Sequence, residues 1–124
     1  MILADTSIWV EFLKGNENTY SVLKGLLENR EVLVMECIFG ELLQGAKIKR
    51  EKEIILDYWR YMSKEDEKEI WIDAGKYSSE NSLIEKGIGL IDSAIISFAR
   101  RHSAKIWSLD KKLKSVLNKN EIFP

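Results

Sequence analysis

The chain is poor in the residues that carry several common chemistries. It has one cysteine, Cys37, one histidine, His102, and one proline, Pro124, in 124 residues. A lone thiol cannot close an internal disulfide, and without Cys or His partners it cannot build a zinc site, so Cys37 reads as core filler. His102 has no triad or ligand partner and reads as a surface residue following a helix rather than as a general base. Without an internal proline, a repeat or a low-complexity tract there is no linker, and residues 1–124 are expected to form one domain. Charge of neither sign is in excess. Lysine plus arginine (19) and aspartate plus glutamate (20) nearly cancel, so any contact with nucleic acid must come from a local patch. Long apolar runs are missing too, and Met1-Ile2-Leu3-Ala4 passes directly into Asp5 without the form of a secretory leader. A soluble, cytoplasmic protein is expected.

What is present is a rhythm of short apolar runs and helical stripes. Ile2-Leu3-Ala4 reads as a buried strand, broken by Asp5-Thr6-Ser7, residues that favour helix caps. Ile8, Trp9, Phe12 and Leu13 then mark a helix that stops at Gly15-Asn16, and Tyr20, Leu23, Leu26 and Leu27 mark a second. Val32-Leu33-Val34 predicts a second strand. Ile38, Phe39, Leu42, Leu43 and Ala46 predict a third helix, and Ile54, Ile55, Tyr58, Trp59 and Met62 a fourth. After a charged turn from Lys64 to Glu69, Ile70, Ala74, Tyr77 and Ile84 set a fifth stripe ended by Gly87 and Gly89. Ile91, Ile95, Ile96, Phe98 and Ala99 set a sixth. Lys105 to Leu109 predicts a third strand, Leu113, Val116 and Leu117 a last helix, and Ile122-Phe123 a final strand. Alternating strands and helices predict an α/β fold with a parallel sheet, whose ligands bind beyond the carboxyl ends of the strands.

Four acids sit where such a fold could gather them. Asp5 closes the first strand and Asp110 the third; each is equally a good N-cap, accepting a backbone N–H. Asp92 shares its helix face with Ile95, Ile96 and Ala99, where a carboxylate is costly unless it is paired, hydrogen-bonded or bound to a cation. Glu41 lies beside the buried stripe of the third helix and could equally bend out to water. Brought to one crevice, four carboxylates would need a counter-ion. Mg²⁺ or Mn²⁺ suits oxygen ligands and leaves positions open for water and a substrate phosphate. Such an ion lowers the pKa of bound water and stabilises the charge of phosphodiester hydrolysis.

With Ile2-Leu3-Ala4-Asp5-Thr6-Ser7, Gly40-Glu41-Leu42-Leu43, Leu90-Ile91-Asp92-Ser93-Ala94-Ile95-Ile96 and Trp107-Ser108-Leu109-Asp110 in this order and spacing, the chain resembles the PIN-domain ribonucleases. Within them it resembles the VapC-type toxins of toxin–antitoxin pairs. The resemblance implies a three-layer α/β/α fold, with Asp5, Glu41, Asp92 and Asp110 as catalytic, Mg²⁺- or Mn²⁺-binding residues and Thr6 and Ser108 as polar supports. In similar proteins the fourth acid, here Asp110, can act through water. The resemblance further implies a metal-dependent endoribonuclease acting on structured RNA such as tRNA. A cognate antitoxin would silence it by inserting a segment into the active-site groove, and the toxin would be a homodimer.

Other enzyme classes lack their marks. A haloacid-dehalogenase-like phosphatase would need an aspartate where Ser7 stands, and a receiver domain an acidic pair where Ala4 and Thr6 flank Asp5. A Gly-rich loop with Lys-Ser/Thr is absent. The alternative of a different kind is a non-catalytic PIN-like module that binds RNA or a protein partner, its acids serving as caps. Lys47, Lys49, Arg50 and Lys52, and Arg100, Arg101 and Lys105, could offer phosphate contacts, although most are expected to be a solvated face. Tyr58 and Tyr61 are candidates for a partner interface.

Overall fold

The structure, a computed structural model, describes residues 1–124. Three short strands form an all-parallel sheet in the order β2-β1-β3, with β1 (Ile2–Ala4) in the middle, β2 (Val32–Leu33) on one edge and β3 (Lys105–Trp107) on the other. Ile2 and Leu3 pair with Val32 and Leu33, while Ile2, Leu3 and Ala4 pair with Lys105, Ile106 and Trp107. A central parallel strand is covered on both faces, which is why β1 is wholly apolar: Leu3 and Ala4 have no exposed surface.

Seven helices cover the sheet: α1 (Thr6–Leu13), α2 (Glu17–Glu28), α3 (Glu36–Gly45), α4 (Lys49–Tyr61), α5 (Ile70–Glu80), α6 (Leu90–Arg101) and α7 (Lys111–Ser115). The result is a three-layer α/β/α arrangement around one cluster of 24 buried apolar residues. Trp9 of α1 anchors one layer. Its ring meets the edges of Phe12, Phe39 of α3 and Tyr58 of α4 at centroid distances of 5.7, 5.1 and 5.6 Å. Aromatic contacts of this kind add to a large apolar burial, and here they fix α3 relative to α1. In the other layer α5 packs along α6, which buries Ala94, Ile95, Ile96, Phe98 and Ala99 and reaches back to β3.

The chain order of the sheet matters for function. From β1 the chain moves to β2 on one side, then crosses back over β1 to β3 on the other. The β1/β3 boundary is thus a topological switch point, where the connections leaving the two strands diverge and open a crevice at their carboxyl ends.

Several expectations at the element ends need correction. The third strand stops at Trp107 rather than Leu109, because the backbone of Leu109 and Asp110 is used by serine side chains instead of a ladder. The second strand is likewise shorter by one residue, ending at Leu33. Ile122-Phe123 forms an isolated parallel bridge to Ile106 and not a strand. The fifth helix ends at Glu80, and a 3₁₀ turn at Ile84–Lys86 follows, so Ile84 is no part of the buried stripe and is 82% exposed. Leu13, Ile54 and Ile91 sit at the margins of their stripes and are exposed.

Candidate active site at the β1/β3 edge

Asp5 follows β1 directly, and its backbone N–H bonds to the Trp107 carbonyl at 3.0 Å. This contact sets the first turn of α1 beside the loop that leaves β3. The Asp5 carboxylate is buried, 6% exposed, yet it has no cationic partner. It is held by hydroxyls instead. Ser7 Oγ donates to Asp5 Oδ1 at 2.5 Å, Ser108 Oγ donates to Asp5 Oδ2, and the Ile8 N–H adds a capping bond to Oδ1 at 3.3 Å. Each serine oxygen in turn accepts a backbone N–H: that of Leu109 at 3.1 Å for Ser7, and that of Asp110 at 2.9 Å for Ser108. Two parallel relays therefore run from the β3–α7 loop through a serine to each oxygen of Asp5. An ionised carboxylate offers about four acceptor positions, so Asp5 is oriented with capacity left over.

Glu41 reaches the same region from α3. Thr6 Oγ1 donates to Glu41 Oε1 at 2.6 Å, which joins the first residue of α1 to a helix 35 positions later. Asp110 caps α7, its Oδ1 accepting from the N–H groups of Lys112 at 2.9 Å and Leu113 at 3.3 Å, and this leaves its other oxygen unused by the chain. Asp92 lies in the first turn of α6, half-buried. Its carboxyl is pushed above the ordinary aspartate range by burial first, then by the negative charges of Asp110, Asp5 and Glu41. No hydrogen bond or cation opposes that shift. The four carboxylates thus share one field, centred on Asp92.

The capping reading of Asp5 and Asp110 is correct as far as it goes, since both accept helix N–H groups. It does not explain Asp92, which caps nothing and pairs with nothing. Nor do three of the carboxylates converge tightly enough to form a ready-made ligand cluster. The donor set still fits a hard divalent ion: Mg²⁺ typically keeps several waters and binds through only one or two carboxylates, and these four lack any protein cation within 4.0 Å. Asp5, Glu41, Asp92 and Asp110 are the residues that could hold it.

The remaining candidates divide sharply. Arg100 is committed to Glu121 through Nε at 2.8 Å and Nη2 at 3.1 Å, and this hydrogen bonding holds the Glu121 carboxyl below the usual range. Arg101 is committed to Asp73 at 2.7 Å and to Asp66. Both tie the fold together and are not free for phosphate. Lys49 pairs with Glu53 along α4 at 3.9 Å. His102 packs its ring on Phe98 and contacts the Asp66 carbonyl, as suits a residue at a helix end. Burial pushes the Cys37 thiol up to about 12, the mark of an inert side chain. Tyr58 is packed against Trp9 and Phe12, whereas Tyr61 is 75% exposed. Ser7, which the sequence offered only as a cap-favouring residue, is the feature missed: its role depends on the Leu109 N–H, 102 positions away.

Beside Glu41 a cleft of ≈ 440 Å³ opens between α1, α3 and α4, walled by Val10, Leu13, Leu42, Ile54 and Ile55, with Lys14 and Lys47 at its lining. No helix is long and apolar enough to cross a membrane.

Comparison with known proteins agrees with this fold. No curated protein matches the sequence. Among solved structures, a chain in the crystal structure of VapBC2 from Rickettsia felis bound to a DNA fragment from their promoter is similar, with a TM-score of 0.72 and 25% identity, over 98% of this chain and 96% of that one. The sequence matches the PIN domain family over residues 2–118, nearly its whole length and all four acids, and the chain therefore belongs to the PIN domain family.

Proposed function

We propose that residues 1–124 act as a single PIN-like nuclease domain, a divalent-metal-dependent endoribonuclease that serves as the toxin of a toxin–antitoxin pair. The observation that carries the reading is the placement of Asp92: it is half-buried without a protein cation, and its carboxyl is pushed up by burial first and then by Asp110, Asp5 and Glu41. Asp5, Glu41, Asp92 and Asp110 would hold Mg²⁺ or Mn²⁺. Bound there, the ion supplies an activated water at neutral pH and charge stabilisation for the phosphodiester. The chain's own part is orientation. Ser7 and Ser108 fix both oxygens of Asp5, and Thr6 fixes Glu41, so the ligands are held at little cost in side-chain freedom when the ion arrives.

Membership of the PIN family supports nuclease activity in general, and the likeness to a chain of a VapBC complex supports a protein antitoxin as partner. The apolar cleft beside Glu41 suits an antitoxin segment with an apolar face, its lysines meeting acidic residues on that segment. A homodimer in the cytoplasm belongs to the same reading. Exposed Ile72, Ile84 and Leu90, 71%, 82% and 51% accessible, are apolar surface that a second copy would cover.

The test is cleavage of total RNA by the purified chain with Mn²⁺, with Mg²⁺ and with chelator, alongside an Asp5→Asn control. Metal-dependent cleavage that vanishes in the control is the expected result. A folded, antitoxin-free chain that cleaves nothing under any condition would instead support a PIN-like module that only binds RNA or protein.

A further inference from the structure

Four carboxylates attract a divalent ion but repel a polyanion, so a nuclease with a net charge of −1 needs local cations to bring phosphates to its acids. The arginines following Asp92 cannot serve, because Arg100 and Arg101 are spent on Glu121, Asp66 and Asp73. Free cations lie elsewhere. Helix α7 reads Lys-Lys-Leu-Lys-Ser, with Leu113 buried in the core. None of Lys111, Lys112 and Lys114 lies within 4.0 Å of a carboxylate.

Lys112 is the best placed of the three. Its backbone N–H is capped by Asp110, which fixes the root of the side chain two residues from a proposed metal ligand. The side chain then runs across Gly87, in the turn that leads into α6 and Asp92: Nζ, Cδ and Cε would lie 3.3, 3.4 and 3.6 Å from a β-carbon at that position. Gly87 has φ +77°, a conformation that favours glycine, and its missing side chain leaves the path of Lys112 open. Among the hydrogen bonds of the chain only the backbone of Lys112 takes part; its ammonium donates to nothing. A charged group with all three donors free, held between the elements that carry Asp110 and Asp92, has the chemistry of a phosphate contact.

We propose that Lys112 contacts a backbone phosphate of the RNA beside the four-acid pocket, positioning the strand without reading its sequence; this rests on the nuclease reading above. The experiment measures binding apart from cleavage. Labelled single-stranded RNA of mixed sequence is titrated with the full Asp92→Asn chain, in Mg²⁺, across a series of salt concentrations. The same is done after adding Lys112→Gln or Lys112→Arg, with circular dichroism as the check on folding. Lys112→Gln is expected to weaken binding about two- to fivefold at low salt, the range of one exposed ion pair. It should also flatten the dependence of log Kd on log salt by about 0.7, the loss of one neutralised phosphate on a single strand. Lys112→Arg should restore the slope. Unchanged affinity and slope in Lys112→Gln, with the parent binding RNA, would overturn the role of Lys112 and leave the nuclease reading intact. A parent that binds no RNA even at low salt would overturn both.

Discussion

Thr6 Oγ1 donates to Glu41 Oε1 at 2.6 Å, a bond between the first turn of α1 and the middle of α3. It is possible because Trp9, one turn further along α1, packs against Phe39, half a turn from Glu41. Core packing thus sets the distance between two helices, and the hydroxyl uses it to aim a carboxylate. Replacing Thr6 with Val keeps the shape and removes the donor. The expected cost in stability is about 1 kcal/mol, whereas RNA cleavage should fall about 10- to 100-fold, as for other groups that orient a metal ligand. Thr6→Ser should recover most of the activity. Full activity in Thr6→Val with a loss in Thr6→Ser, measured as initial cleavage rates in Mn²⁺, would show that the methyl and not the hydroxyl matters.

Asp92 gives a prediction with opposite signs in two conditions. Its carboxyl is raised above its ordinary value by burial and then by Asp110, Asp5 and Glu41. Without metal, an acid whose folded pKa exceeds its unfolded one favours the fold below the unfolded pKa and loses that contribution as pH rises through the folded one. At neutral pH the ionised group therefore opposes folding. Asp92→Asn should raise the metal-free melting temperature at pH 7, and the advantage should shrink as pH falls through the raised pKa toward the ordinary aspartate value. With divalent ion the order should reverse. An ion at about 100 times its Kd adds about 2.7 kcal/mol to a protein that binds it only when folded, roughly 10 °C for a domain of this size. The variant should gain much less and lose cleavage. A melting temperature of the parent that Mn²⁺ does not move would remove the basis for a metal site here.

Much of this site was legible in the sequence, because its signals are local. An apolar strand that must be covered on both faces, followed at once by Asp-Thr-Ser, announces both the strand end and the start of α1. Asp92 stood out because its helical neighbours are apolar, and burial is what a carboxylate resists. What stayed hidden depends on distant pairs. That Arg100 is bound to Glu121 and Arg101 to Asp73 cannot be read from a run of arginines. Nothing in Lys111-Lys112 says that one lysine will cross Gly87. Helix periodicity also carried Ile84 into the core. The chain had left α5 at Glu80, and the phase of the stripe was lost in the turn that followed.

The paired serines offer the sharpest test of how the pocket is built. Ser7 and Ser108 act on different oxygens of one buried carboxylate, and each also accepts an N–H from the β3–α7 loop. If both relays serve to hold Asp5, their removals cannot be independent. Ser108 is itself buried, so Ser108→Ala strands the Asp110 N–H as well as Asp5 Oδ2 and should cost about 1–3 kcal/mol, the range for an unsatisfied buried group. Ser7 is half-buried, and water can replace part of what Ser7→Ala removes, so about 1 kcal/mol is expected there. The double variant should depart from the sum by at least about 0.5 kcal/mol, the coupling expected of residues in one hydrogen-bond network. Denaturant unfolding of the four chains without metal reads this directly. Strict additivity would mean that the two serines stabilise separate parts of the fold, with Asp5 oriented by its capping bond to Ile8 alone.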